Sequence, residues 1–272
     1  MRRTIAVSLC LFVILISLGL LVRAGVLQVP AGTWAPTANL VDARANSSAA
    51  LLSDGRILIT GGDGASGPLA TAEFFNTDGS VSPAAPMNVA RSGHISVVLQ
   101  DGRVLVAGGT VAGGGATNAA EIYDPVANTW TSLAGGMMEA RSGATEAPLQ
   151  DGRVAVAGGQ NGSVVSSTIE IFDPLAGNFS FAGTLSSPRT QHAMAVLTDG
   201  RVMIFGGSNG TIPVASTDIF DPAAGSVAPG PSLATPRSGH SATTLLDGRV
   251  LVAGGNNIVT NPDGSTTTVD LA

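Results

Sequence analysis

An all-β propeller of about five four-stranded antiparallel blades is the fold this sequence predicts, on three observations. Five times a D-G-R triplet leads through four apolar or small residues to a glycine pair. Asp54-Gly55-Arg56 leads to Gly61-Gly62, Asp101-Gly102-Arg103 to Gly108-Gly109, and Asp151-Gly152-Arg153 to Gly158-Gly159. Asp199-Gly200-Arg201 leads to Gly206-Gly207, and Asp247-Gly248-Arg249 to Gly254-Gly255. The second glycines fall 47, 50, 48 and 48 residues apart, a period at which one blade-sized unit recurs around a ring. The composition agrees: 36 of 272 residues are glycine and only 12% are charged, as tight turns between short strands require.

The N-terminus is set apart from the repeats. Arg2-Arg3 precede an apolar run from Ile5 to Val22, so residues 1–24 read as an export signal or, if uncleaved, as a membrane anchor. Either reading places the repeats outside the cytoplasmic membrane, secreted or periplasmic in the first case and anchored in the second. Residues 25–272 form the propeller, with repeats at about 44–90, 91–140, 141–188, 189–236 and 237–272.

The second repeat shows the plan most clearly. Ile95 to Leu99 is an apolar, β-branched run, Asp101-Gly102 supplies a turn expected to be type I′, and Arg103 to Ala107 is apolar again. A strand apolar on both faces is covered on both faces, as stacked blades require. Ala120-Glu121-Ile122-Tyr123 forms a third strand, stopped by Asp124-Pro125, and Asn128-Thr129-Trp130-Thr131 supplies the outer one. Repeats three and four repeat this with Glu170-Ile171-Phe172-Asp173-Pro174 and Asp218-Ile219-Phe220-Asp221-Pro222. Thr33-Trp34 marks residues 32–38 as a lone fourth strand, expected either to complete the last blade or to stand unpaired in a truncated chain. Val269-Asp270-Leu271 aligns with Ile169-Glu170-Ile171 as the third strand of the last repeat.

The order P-R-S-G-H, apolar strand, D-G-R, apolar strand, G-G, acidic-apolar-aromatic-D-P, N-x-W resembles the kelch repeat over about residues 32–272. The resemblance implies blades around a central channel, as in the central domain of galactose oxidase. It also implies a ligand face built by the loops joining strand four to one and strand two to three. Two sets of residues reach that face in kelch propellers that bind acidic peptides. They correspond here to the arginines Arg44, Arg91, Arg141, Arg189 and Arg237, and to Asp63, Thr110, Gln160, Ser208 and Asn256 directly after the glycine pairs. The alternative for the arginines is internal pairing with Glu73, Glu121, Glu170, Asp218 and Asp270, one per repeat. The second arginine set, Arg56, Arg103, Arg153, Arg201 and Arg249, is expected to pair with the turn aspartates.

Several chemistries are excluded or left without support. There is no lysine, and setting aside the three N-terminal arginines takes the net charge from -6 to -9, so nucleic acid is a poor partner. The copper-radical chemistry of galactose oxidase needs a Cys-Tyr cross-link, whereas Tyr123 is the sole tyrosine and Cys10 lies in the export segment. His94, His192 and His240 occupy one repeat position, which explains them without a metal. Glu139 and Glu146 are carboxylates outside the repeat pattern and read as a solvated loop and a strand edge. No catalytic residue, metal or cofactor is therefore assigned. The expectation is a binding module for a glycan or a protein segment, anionic if the arginine ring serves it. The alternative is a cofactor-free carbohydrate-active enzyme resembling sialic acid mutarotase.

Overall fold

Four complete blades and part of a fifth stack in chain order, as seen in a computed structural model that describes residues 37–260 and 265–271. The expected export segment (residues 1–24), the expected strand at Thr33-Trp34 and residues 261–264 lie outside the described residues. Blade 1 contains β1 (Ser48–Leu51) and β2 (Ile57–Thr60), a short hairpin of β3 (Asp63–Gly64) and β4 (Gly67–Pro68), then β5 (Ala72–Phe75) and β6 (Val81–Ala84). Blade 2 is β7 (Ile95–Val98), β8 (Val104–Ala107), β9 (Ala120–Asp124) and β10 (Thr129–Ser132). Blade 3 is β11 (Thr145–Pro148) and β12 (Val154–Ala157), a hairpin of β13 (Gln160–Asn161) and β14 (Val164–Val165), then β15 (Thr168–Asp173) and β16 (Asn178–Thr184). Blade 4 is β17 (Ala193–Val196), β18 (Val202–Phe205), β19 (Thr217–Asp221) and β20 (Ser226–Pro229). Each is an antiparallel four-stranded sheet in which β1, β7, β11 and β17 are inner edges.

The continuous apolar strands have the predicted cause. Val104 and Val106 of β8 pack towards blade 1 with Leu58, Phe74 and Tyr123. Leu105 and Ala107, on the opposite face, pack towards blade 3 with Val154, Val156 and Phe172. Ala155 and Ala157 then meet Val202, Ile204 and Phe220 of blade 4. The core is thus a series of interblade layers, each strand alternating its side chains between two of them.

Two local expectations are corrected. The D-G-R turn is not type I′, because the glycine has positive φ (86° at Gly55) and the aspartate does not. Leu52 N–H bonds Arg56 C=O, and Gly55 N–H bonds Leu52 C=O, which closes a three-residue loop ending in left-handed glycine. The extra residue is Ser53, Gln100, Gln150, Thr198 or Leu246, which the D-G pair alone conceals.

The second correction concerns the fifth blade. Its β21 (Ser241–Thr244) and β22 (Val250–Ala253) pair as expected, but β23 (Asn256–Thr260) pairs with β24 (Thr266–Asp270) as a separate hairpin. Leu271 N–H bonds Gly255 C=O, as Leu69, Thr117, Ser166 and Val214 bond Gly62, Gly109, Gly159 and Gly207. Leu271 therefore stands where Ser166 stands, before the third strand. Asp270 belongs to a long loop hairpin and is not the counterpart of Glu170.

Candidate functional site

The loops at the start of the inner strands of blades 1–4 converge on one cavity, the mouth of the array. In every repeat the residue after the arginine and the residue after the glycine pair exchange backbone hydrogen bonds. The pairs are Ala45 with Asp63, Ser92 with Thr110, Ser142 with Gln160, Thr190 with Ser208, and Ser238 with Asn256. One residue further on, a peptide chain of bonds joins blade to blade. Gly93 N–H donates to Asn46 C=O (2.8 Å), Gly143 to Gly93 (2.9 Å), Gln191 to Gly143 (3.2 Å) and Gly239 to Gln191 (2.8 Å). All five residues are left-handed, with φ between 51° and 67°. The S-G of P-R-S-G-H supplies that conformation, and Asn46 and Gln191 adopt it with a side chain in place.

A cavity of about 340 Å³ sits on this ladder, lined from four blades: Asn46 and Asp63, Ser92 and Thr110, Ser142 and Gln160, Thr190 and Gln191. Asp63, Thr110 and Gln160 are three of the residues expected at a ligand face. Ser208 and Asn256 hold the equivalent backbone positions without lining this cavity. Gln160 also borders a second cavity of about 460 Å³, walled by the β13–β14 hairpin and Glu139, so the mouth continues over blade 3. A cavity of about 470 Å³ opens on the opposite face beside Asp151, Asp199 and Arg201. There the guanidinium is already held by its turn aspartate at 2.7 Å, so we place the candidate site at the mouth, where four blades contribute.

The arginine ring lies beneath the mouth, not on it. Arg91 pairs with Glu121 at 2.8 Å, Arg141 with Glu170 at 2.5 Å, Arg189 with Asp218 at 2.7 Å, and Arg44 with Glu73. The side chains of Arg91, Arg141 and Arg189 are 0% exposed. Their Nη1 groups donate to Gly108, Gly158 and Gly206 carbonyls, tying strand one to the glycine pair. Each carboxylate also accepts backbone N–H from the preceding loop, as Glu170 does from Met138 and Glu139. Burial opposes ionisation of Glu73, but hydrogen bonds from Val41, Arg44 and Asp42 outweigh it and hold the carboxyl below its usual range. These four arginines are therefore structural in this conformation, and the basis for expecting an anionic ligand goes with them. Arg237 bonds the Gly254 carbonyl at 2.8 Å and, among the described residues, makes no ion pair. The expected Asp270 partner is displaced by the long loop.

The histidines and the tyrosine are likewise interblade residues. His94 Nε2 lies 2.8 Å from the Thr60 hydroxyl, and His192 Nε2 lies 2.6 Å from that of Thr145. Burial, with nearby arginines adding to it, pushes both imidazoles down to about 3, so they are neutral. Among the described residues no three metal-ligating side chains cluster. Tyr123 is fully buried, donates to Asn128 Oδ1 at 2.6 Å and stacks on Trp130.

Two carboxylates carry charge chemistry near the channel. Asp63, at the mouth, is held below its usual range by hydrogen bonds from Asn46 and Ser92, against a smaller effect of burial. Glu146 corrects the reading of a solvated strand edge. It lies on β11, partly exposed but set among apolar neighbours, and burial pushes it up to about 7. Glu139, by contrast, is half exposed and shared between Arg141 at 3.1 Å and the Ser166 hydroxyl at 2.6 Å. The signal that would have singled out Glu146 is its position, which Ala49, Ser96, Met194 and Ala242 hold in the other repeats.

The sequence profile of the KLHDC2/KLHL20/DRC7 Kelch-repeats domain matches residues 47–255. No curated protein sequence matches the chain. Among solved structures it is similar to the one reported as "Structure of YjhT", with 17% identity and a TM-score of 0.68 over 83% of this chain and 76% of that one. It is also similar to a "Novel fungal alcohol oxidase with catalytic diversity among the AA5 family, in complex with copper", with 21% identity and a TM-score of 0.51. That alignment covers 83% of this chain but 61% of the oxidase, under two thirds of its length. At these identities both likenesses are likenesses of fold. With the repeats, the blades and the profile in agreement, the chain belongs to the kelch-repeat β-propeller family.

Proposed function

We propose that this propeller is an exported binding module that takes a glycan or a polar protein segment at its channel mouth. One observation carries the reading: hydroxyl and carboxamide side chains from four blades converge on one cavity, which continues beside Gln160 onto blade 3. Such groups are donors and acceptors without net charge, suited to sugar hydroxyls or peptide amides. Placement outside the cytoplasm is supported by the arginine-flanked apolar run of residues 5–22. The test is binding of the full chain to arrayed neutral glycans and peptides, followed by titration of any hit against Gln160→Ala. A drop in affinity of about tenfold at unchanged melting temperature supports the reading. A hit that Gln160→Ala binds as well as wild type places the site elsewhere.

A second reading, a cofactor-free carbohydrate-active enzyme, is favoured by Glu146. It is an acid–base group present in one blade only and poised near neutrality. Exchange of sugar anomers, followed by magnetisation transfer with wild type and Glu146→Gln, distinguishes it from simple binding. Equal rates for the two proteins exclude Glu146 as the acid–base group.

A further inference from the structure

We propose that the channel recognises a polyhydroxylated ligand through a free primary ammonium group, as in an unacetylated amino sugar, with Glu146 as its counter-ion. The inference rests on the channel-mouth reading above and names the ligand chemistry.

Glu146 pairs across the strand with Val156, whose face packs on Ile95, Val97 and Leu105 of blade 2. It is thus set into an apolar interblade layer, where the other four repeats carry small or apolar residues or a serine. The fold does not require a carboxylate there. Every repeat carboxylate in that interior has a partner: Glu73, Glu121, Glu170 and Asp218 each hold a guanidinium. Glu146 accepts a hydrogen bond from its own backbone N–H but makes no ion pair among the described residues, and no neighbouring charge bears on it. A half-buried carboxylate in an apolar layer without a cation is costly, and its natural remedy is a cation brought by a ligand.

Access is built into blade 3. Ser142, Gly143, Ala144, Thr145 and Glu146 are all partly exposed along the inner strand that descends from the mouth. The corresponding residues Ser92, His94, Ile95 and Ser96 of blade 2 are buried. Glu146 lies three residues below Gly143, roughly 10 Å along an extended strand, within reach of a slender group. A compact ammonium fits such an approach better than a planar guanidinium.

The electrostatics select the same sign. Arg91, Arg141 and Arg189 are closed off by their carboxylates, and the flanking His94 and His192 are neutral. Ionised Asp63 at the mouth and half-exposed Glu139 beside Gln160 add negative charge on the approach to Glu146. Thr110, Ser142 and Gln160 around Asp63 offer hydrogen bonds to the ligand's hydroxyls.

The experiment is calorimetric titration of the full chain at pH 7 with a glucosamine trisaccharide, its N-acetylated counterpart and a short lysine-containing peptide. Wild type, Glu146→Gln and Asp63→Asn are each titrated. The expected result is at least tenfold tighter binding of the free amine by wild type, lost in Glu146→Gln while the melting temperature is kept. Equal or tighter binding of the N-acetylated sugar overturns the proposal and leaves the mouth reading standing. A preference that survives Glu146→Gln and disappears in Asp63→Asn overturns the role of Glu146. Tighter binding of a lysine-containing peptide than of the amino sugar overturns the sugar assignment. Absence of binding by either sugar overturns the proposal, and the Gln160→Ala test then decides the mouth reading separately.

Discussion

At the scale of the residue, Arg141 and Glu146 stand for charged groups with and without an ion-pair partner. Arg141 is fully buried and bonded to Glu170, Gly158 and Thr168. Arg141→Ala should therefore act on stability, costing about 3–5 kcal/mol because Glu170 is left buried and unpaired. Denaturant titration measures this; a change below about 1 kcal/mol would mean that the pair is not closed in solution. Glu146 behaves in the opposite sense. Its folded-state value, about 7, lies above the ordinary 4.5, so the unfolded chain releases this proton first. Its contribution to stability is greatest below pH 4.5 and is lost as pH rises through 7, by about 3 kcal/mol in all. His94 and His192, depressed to about 3, act the other way, losing stability as pH falls below 6.5. The difference between Glu146→Gln and wild type isolates the carboxyl. The variant should gain relative stability from pH 5 to pH 8, and a difference that does not vary with pH would show that Glu146 titrates as if in water. The arginine–acid spacing was legible in the sequence. The fate of Glu146 was not, because strand alternation alone does not tell an interblade layer from a solvated edge.

At the scale of the element, the legible features were those enforced by backbone chemistry. Glycine pairs end the second strand because a Cβ on Gly109 would stand 2.8 Å from the Ser92 carbonyl and 2.9 Å from His94 Cβ. The D-P stop works as expected, with Asp124 Oδ1 accepting N–H from Val126 and Ala127. What the pattern concealed was loop length, since hairpin turns and loop hairpins depend on residues between motifs. The three-residue D-G-R loop and the long β23–β24 hairpin are both misses of that kind. The blade-to-blade ladder was also missed, although the glycine of R-S-G marks it in three repeats. These two glycine classes should respond differently to substitution. Gly93 has left-handed φ, but its would-be Cβ meets only ordinary van der Waals neighbours, none nearer than 3.8 Å, and Asn46 already holds the same conformation. Gly93→Asn is expected to cost under about 1 kcal/mol. Gly109→Ala meets backbone and should cost roughly 3 kcal/mol. Similar costs for both, measured by chemical denaturation, would show that conformation and not close approach governs the glycine positions.

At the scale of the whole molecule, stability is a chain of interblade layers, and the layers are unequal. Strands β8, β12 and β18 are buried at every residue because a blade covers each face. In β2 only alternate residues are buried, and in β22 none is, with Leu251 of the latter 54% exposed. The repeat number and blade order were legible because each period carries the same turn and strand signals. The weakness of the fifth blade was not, since β22 reads V-L-V-A as β8 does. Burial there depends on what packs against the strand, which its own residues do not encode. In an array where each unit is held by its neighbours, opening proceeds from the less covered units inward. Native-state amide exchange should accordingly protect β8 and β12 most, β2 and β18 next or equally, and β22 with the β23–β24 hairpin least. The expected gap between β8 and β22 is at least a hundredfold in exchange rate, about 3 kcal/mol of opening free energy. Both strands make the same antiparallel pairing to their inner neighbours, but β8 also pairs with β9 while β22 has no outer partner among the described residues, so the comparison is confined to the amides that bond the inner neighbour. Uniform protection across the five blades would mean that the fifth is covered in solution as fully as the others and that the array unfolds as one unit.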